Sequence, residues 1–405
     1  MRIAEINIVA NGSTGRIMLH IARVARDCGY EVKTFSPVLF ARGAKKIQSQ
    51  IPEHFSWGGV GESFFHYYAG TLLGKNGLLS KKGTAQLINE LKAFNPDIIH
   101  LHNIHRYCLN LPMLFDYIKT SGAKVVWTLH DCWSFTGNCA HFVSSGCEKW
   151  KEGCYSCPQP RSYPKMYVDT SKKMYELKKK LFCGVKDMTL VTPSRWLCEL
   201  TEQSFLREYP ARVINNGIDL SVFKPTDGNF REKHGLLNKK IILGVAFRWS
   251  YEKGLDVMTE LSKRLPDDYK IVLVGTNESV DASLPENILS IHKTENQREL
   301  AEIYTAADLF VNATREDTYP TVNMEALACG TPVLTFDIGG SAEIIDDSCG
   351  CAVKVNDVDG MEREIVRICT EKPYSAEACL ERARSFDMHD RFKEYVELYK
   401  EVTDR

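Results

Sequence analysis

Between Lys240 and Gly275 the chain reads KIILGVAFRWSYEKGLDVMTELSKRLPDDYKIVLVG, and this stretch decides the fold class. KIILGVAF is a short apolar run, Leu255 to Leu265 reads as a helix, and KIVLVG is a second apolar run. Strands bracketed by helices in this way belong to a parallel sheet covered on both faces. Arg248 and Lys253 fall just past the strand and just before the helix. Two cations on one short turn can flank a diphosphate and neutralise charge developing on a leaving group. Two solvated surface charges would show the same spacing.

The alternation continues in both directions. Downstream come ILSIH, a helix through Glu299 to Ala307, DLFVNA, the helix containing MEALACG, and PVLTFD. Upstream, Ile3 to Ala10 (IAEINIVA) leads through NGSTGR into a helix with Ile17, Ile21, Val24 and Ala25 at helical spacing, and DIIHLH, KVVWTLH and MTLVTP follow as further strands. A polar stretch marked by Pro and Gly, Asn215 to Gly235, separates the halves as a hinge. The predicted class is α/β: two Rossmann-like doubly wound domains facing a central cleft, where the carboxyl ends of strands place ligands. The expected domains are 1–222, with a Cys-rich insert at 132–160, then 223–385, and a helix at 386–405 crossing back to the first. At 405 residues the chain is too long for a single core.

The formal net charge is −1, with 44% hydrophobic and 25% charged residues, so no global field points to nucleic acid. The N-terminal stretch lacks the pattern of a secretory signal, and no run approaches 18 apolar residues. The expectation is a soluble, cytoplasmic protein, at most peripheral at the inner face of a membrane. In that reducing compartment the spacing C-x7-C-x6-C-x2-C of Cys139, Cys147, Cys154 and Cys157 suits a tetrahedral structural zinc that would staple an otherwise coreless loop. Reduced structural cysteines or a redox disulfide are the alternatives. His141 is a substitute ligand, and Cys132 reads as a packed small residue.

The most informative stretch is REDTYPTVNMEALACGTPVLTFDIGGSAEII, Arg315 to Ile345. Asp317 lies on a loop at a strand's end, Pro320 breaks the chain, and a helix beginning near Asn323 puts Glu325 in its first turn. The N–H groups around Thr321, Val322 and Asn323 suit an anionic phosphate, and the Glu325 carboxylate suits a ribose diol. Either acid alone reads equally well as a capping or first-turn residue.

Taken together these features resemble the retaining glycosyltransferases of GT-B family 4. The matching motifs are NGSTGR, TLHD at Thr128 to Asp131, VTPSRWL at Val191 to Leu197, VINNGIDLSVFKP at Val213 to Pro225, Arg248 with Lys253, and the acidic block with EALACGTPV and GGSAEII. The resemblance implies a nucleotide-diphosphate sugar donor, with Arg248 and Lys253 on the diphosphate, Glu325 on the ribose and Asp317 on the sugar's hydroxyls. It implies that Gly15 lets backbone approach the donor, that His130 contacts the donor sugar, and that catalysis requires no metal. Asp317 stands where the family usually has Glu, and Glu316 precedes it, so which of the two faces the donor stays open. TLHDCWSFTGNCAHF and the spaced cysteines resemble enzymes of colanic acid, capsule and exopolysaccharide synthesis. The acceptor would be a saccharide or lipid-linked saccharide on the first domain. Aromatics at Phe64 to Tyr68 could stack on sugar rings, and Trp57, Lys75, Lys81 and Lys82 could touch a membrane. His100, His102 and His105 could bind metal by composition, but packing or lining the cleft is the favoured reading. The rival readings are another nucleotide-sugar enzyme on the same fold, such as an epimerase or sugar-phosphate synthase, and a non-catalytic zinc-containing binding protein.

Overall fold

The computed structural model describes residues 1–10, 12–38, 51–105 and 108–404. Asn11 of the first loop, and Arg106 and Tyr107 of the histidine-rich stretch, lie outside the described residues. The chain divides into two compact units, Met1–Ile214 with Arg391–Arg405, and Asn215–Asp390.

In the first unit seven strands, β1 (Arg2–Ile6), β2 (Glu31–Pro37), β3 (His54–Trp57), β4 (Ile98–Leu101), β5 (Lys124–Thr128), β6 (Met188–Thr192) and β7 (Ala211–Val213), form one parallel sheet. Their order is β3-β2-β1-β4-β5-β6-β7. Every residue of β4 and β6 is buried, which is why apolar residues predominate in both, with His100, Thr189 and Thr192 as buried polar exceptions. The helix Ser13–Asp27 covers the sheet with Ile17, Met18, Ile21, Ala22, Val24 and Ala25. From Arg391 onward the last helix, Met388–Thr403, belongs to this unit and buries Phe392, Tyr395, Val396 and Tyr399.

The second unit holds β8 (Lys240–Val245), β9 (Tyr269–Val274), β10 (Ile288–Ile291), β11 (Leu309–Asn312), β12 (Val333–Phe336) and β13 (Gly350–Val353), again all parallel, in the order β10-β9-β8-β11-β12-β13. Successive side chains of a strand point to opposite faces. Leu243, Val272 and Phe310 therefore feed one core, with Tyr304 and Leu327 from helices, while Ile242, Leu273 and Val311 feed the other with Met258 and Met361. Each sheet changes direction once, between β1 and β4 and between β8 and β11. Such switch points are where open parallel sheets bind ligands.

Two expectations change on inspection. The second unit begins at Asn215, eight residues before the expected 223, because Ile218 exchanges backbone hydrogen bonds with Phe386 (2.9 Å) and Met388 (3.0 Å). The Cys-rich insert is not coreless. It folds as three short 3-10 turns, Cys132–Phe135, Val143–Ser145 and Lys149–Lys151. The buried Phe135 and Phe142 pack on Trp150 with ring centroids 5.2 and 5.0 Å apart. Aromatic burial of this kind already stabilises the loop.

Candidate active site

The loops leaving β8 and β11 carry the charged residues singled out in the sequence, and they meet. Lys253 Nζ donates to Asp317 Oδ2 at 2.9 Å and to the Glu316 carbonyl at 3.3 Å. Gly254 makes the approach feasible. Its φ is +76°, and a Cβ there would lie 2.3 Å from the Ala313 carbonyl oxygen, so no other residue fits without moving the loop. Arg315 ties the two loops together. Its guanidinium, almost fully buried, donates to both Asp256 carboxylate oxygens at 2.8 Å, to Asn356 Oδ1 at 2.7 Å and to the Tyr251 carbonyl at 2.5 Å. Such a bidentate pair fixes geometry as well as charge. Arg248, on the same loop as Lys253, is exposed and has no hydrogen bond or ion pair among the described residues.

The next helix is Thr321–Ala328, starting two residues earlier than expected, so Glu325 stands in its second turn rather than its first. Pro320 offers no side-chain cap, which leaves the N–H groups of Thr321 and Val322 without a capping side chain. Tyr304 donates its hydroxyl to Glu325 Oε2 at 3.1 Å. Burial holds the Tyr304 hydroxyl well above its ordinary pKa, so it stays a donor.

In the first unit, three adjacent strands bring together a buried polar row. Glu5 of β1 pairs in register with His100 of β4. Glu5 Oε2 lies 2.8 Å from His102 Nε2, and His102 Nδ1 lies 3.0 Å from His130 Nε2. Tyr399 of the last helix donates to Glu5 Oε1 at 2.7 Å, while His100 contacts Tyr399 and Thr128 at 2.6 and 2.8 Å. Burial would raise the Glu5 carboxyl, but the imidazoles of His100 and His102 outweigh it and leave it at about 2. Beside this row Asp131 accepts from the Trp133 N–H at 2.8 Å and meets His105 Nε2 at 3.0 Å.

The family model "Glycosyltransferase Family 4" matches residues 14–222, just over half of the chain, and "Glycosyl transferases group 1" matches residues 227–386. The chain belongs to glycosyltransferase family 4. An Escherichia coli K12 protein, WcaC, named as a colanic acid biosynthesis glycosyl transferase, is 27% identical to this family 4 chain over 330 residues, covering 76% of this chain and 77% of WcaC. Bacillus subtilis TuaC, named as a teichuronic acid biosynthesis glycosyltransferase, is 28% identical over 210 residues, 50% of this chain and 54% of TuaC. Among solved structures, Anabaena HepE in complex with UDP superposes with a TM-score of 0.70 at 15% identity, covering 99% of this chain and 100% of that one. Sucrose-phosphate synthase from Thermosynechococcus elongatus gives 0.71 at 15% identity, covering 99% and 98%. At that identity both show the GT-B fold alone. The family match makes this chain a glycosyltransferase related to enzymes of bacterial surface polysaccharide synthesis, which sets aside the non-catalytic reading.

Several expected site residues of the glycosyltransferase stand elsewhere than their motifs suggested. Gly15 is not in the first loop but in the first turn of the helix Ser13–Asp27, where a Cβ would meet the Ala10 carbonyl carbon at 2.7 Å and the Val9 carbonyl oxygen at 2.9 Å. Its absent side chain lets that helix pack on the preceding loop. Trp57 is no surface aromatic: it is buried and donates to the Cys108 carbonyl at 2.9 Å.

The two candidate metal sets differ in how closely their ligand atoms approach one another. Zn–S bonds of about 2.3 Å require tetrahedral sulfurs to sit about 3.8 Å apart. Among the described residues, the one group of three or more His, Cys, Asp or Glu ligand atoms within 4.8 Å of one another is Glu5, His100 and His102. Cys139, Cys147, Cys154 and Cys157 share a segment without forming such a group, and burial followed by the neighbouring thiols pushes Cys139 up to about 12. Zinc there would require their side chains to turn toward a common point. The Glu5, His100 and His102 atoms are already engaged with one another and with Tyr399 and Thr128, which describes a hydrogen-bond network.

The same burial sets a pH dependence. His66 and His102 fall from 6.5 to about 4, burial being the largest cause in each. Folded, they stay neutral, while the unfolded chain takes up protons below 6.5. Their stabilisation is therefore complete above that pH and is lost as pH falls toward 4. Tm at pH 5 is expected to lie about 5 °C or more below its value at pH 7.5. A flat thermal profile over that range would contradict the assignment.

Proposed function

We propose that this enzyme is a retaining glycosyltransferase that moves a sugar from a nucleotide-diphosphate sugar to a hydroxyl of a saccharide or lipid-linked saccharide in bacterial surface polysaccharide synthesis. The observation that carries the reading is the Lys253–Asp317 contact at the switch point of the second sheet, with Glu325 on the helix that follows. In this reading the second unit binds the donor. Arg248, Lys253 and the N–H groups of Thr321 and Val322 hold the diphosphate, Glu325 takes the ribose diol, and Asp317 takes sugar hydroxyls. His130, by the family resemblance, accepts a hydrogen bond from a hydroxyl of the sugar. The acceptor oxygen bonds to the anomeric carbon on the face from which the carbon–phosphate oxygen bond breaks, and the acceptor's proton passes to the leaving phosphate. The cations and helix dipole then stabilise the charge left on the diphosphate without a divalent metal. The relatives named for colanic and teichuronic acid synthesis support the acceptor class, and HepE solved with UDP supports a uridine nucleotide as the first donor to try. Addition of UDP should raise Tm in proportion to occupancy, and no shift with any nucleoside diphosphate would count against the reading.

A lipid-linked acceptor places the enzyme at a membrane surface. No helix among the described residues is long and apolar enough to cross one, but the helix Val60–Leu73 presents Phe64, Phe65, Tyr68 and Leu72 to solvent, Phe65 at 63% exposure. Phe64, Tyr68 and Leu72 follow at i, i+4 and i+8, one stripe of the helix. Exposed Lys75, Lys81 and Lys82 adjoin it in sequence, a composition suited to an anionic leaflet. The protein should float with vesicles of phosphatidylcholine and phosphatidylglycerol, and Phe64→Ser with Phe65→Ser should cut the bound fraction about tenfold. Equal flotation of the two forms would rule this face out.

A further inference from the structure

The buried row in the first unit contains a charged residue that glycosyl transfer as described above does not use. Glu5 is wholly buried, and His102 and His130 follow it at 2.8 and 3.0 Å. We infer that Glu5 and His102 are positioning residues that lock His130 as the tautomer protonated on Nε2, so that its Nδ1 meets a sugar hydroxyl as a hydrogen-bond acceptor.

The argument is one of donor arithmetic. An ionised carboxylate only accepts. Glu5 already accepts from Tyr399, so the 2.8 Å contact requires the proton on His102 Nε2. A neutral imidazole carries one N–H, which leaves His102 Nδ1 as an acceptor. The 3.0 Å contact then requires His130 to donate from Nε2, and its Nδ1 is unprotonated. Neutrality of His102 is consistent with its pKa near 4, set first by burial and then by the neighbouring His100. Burial likewise drives His130 well below its ordinary value. Glu5, His100, His105 and Asp131 are among the charged and titratable groups that face this pair. The two rings are nearly coplanar, at 15°, as an in-plane bond demands. A cavity of about 10 Å³ beside them, about the space of one water, is lined by His102, Trp127, His130 and Trp133 among others. The tautomer of a histidine is set by the bond its other nitrogen makes, and here that bond begins on β1.

This inference rests on the proposed contact of His130 with the sugar, and the experiment separates the two. In the full chain labelled with 15N-histidine, long-range 1H–15N correlation at pH 7.5 should show His130 protonated on Nε2, its signals assigned by their loss in His130→Asn. Glu5→Gln keeps the shape of the side chain but can also donate, so it should mix the His130 tautomers and lower kcat by about 10- to 100-fold, with donor KM changed less than about threefold. Glu5→Asp, which keeps the charge, should restore part of the loss. Protonation of wild-type His130 on Nδ1 would overturn the inference whether or not the variants fold. So would unchanged kcat in a folded Glu5→Gln protein when His130→Asn is inactive. If His130→Asn itself transfers normally, the contact of His130 with the sugar is what fails.

Discussion

Lys253→Ala is expected to lower kcat/KM for glycosyl transfer by about 10²- to 10³-fold, the cost of removing one preorganised donor from developing charge. Stability should barely change. The Lys253 and Asp317 side chains are 37% and 25% exposed, and pairs that are this wet contribute at most about 1 kcal/mol. Truncation also leaves the Asp317 carboxylate without its 2.9 Å partner, adding repulsion toward a diphosphate to the loss of attraction. The measurement is steady-state release of nucleoside diphosphate, with Tm recorded beside it. Turnover within threefold of wild type would remove Lys253 from the site.

Glu325→Ala should cost about 10²-fold in kcat/KM and distribute it differently. A carboxylate on the ribose binds ground state and transition state alike, so the loss should appear chiefly as a higher donor KM. The variant also strips the Tyr304 hydroxyl of its 3.1 Å acceptor inside the second core, and an unsatisfied buried hydroxyl costs about 1–3 kcal/mol. A modest fall in Tm is therefore expected here but not in Lys253→Ala. A fall in kcat with unchanged KM would place Glu325 at the reacting carbon.

The strands that were legible in the sequence are those buried along most of their length, such as β8 and β9, whose runs of Ile, Leu and Val have one structural meaning. The outer strands β3 and β7 of the first sheet were not. Arg212 in β7 is exposed and β3 is largely half-buried, so neither carries an unbroken apolar run. Lys253 and Asp317 stood out in the sequence because each follows a strand, and Glu325 because a helix was expected to begin just before it, although the structure starts that helix earlier. Arg315 was passed over because its partners, Asp256 and Asn356, stand 59 and 41 residues away. Glu5 did leave a signal: an acid inside IAEINIVA is a charge within a buried strand, which demands partners. Gly15 and the Cys-rich segment have a structural setting that their motifs did not show, for one reason. Their motifs hold glycines and thiols suited to ligands, while the contacts that explain them, a helix packed on a loop and an aromatic cluster, are tertiary.

The most direct measurement incubates the enzyme with individual nucleotide-diphosphate sugars and saccharide acceptors, identifying products by mass and their anomeric configuration by NMR. At least one donor should lose its sugar with release of the nucleoside diphosphate, in a Lys253- and Glu325-dependent manner, giving a product with the donor's own anomeric configuration. Inverted product would contradict retention, and transfer unaffected by removal of either side chain would contradict the site itself.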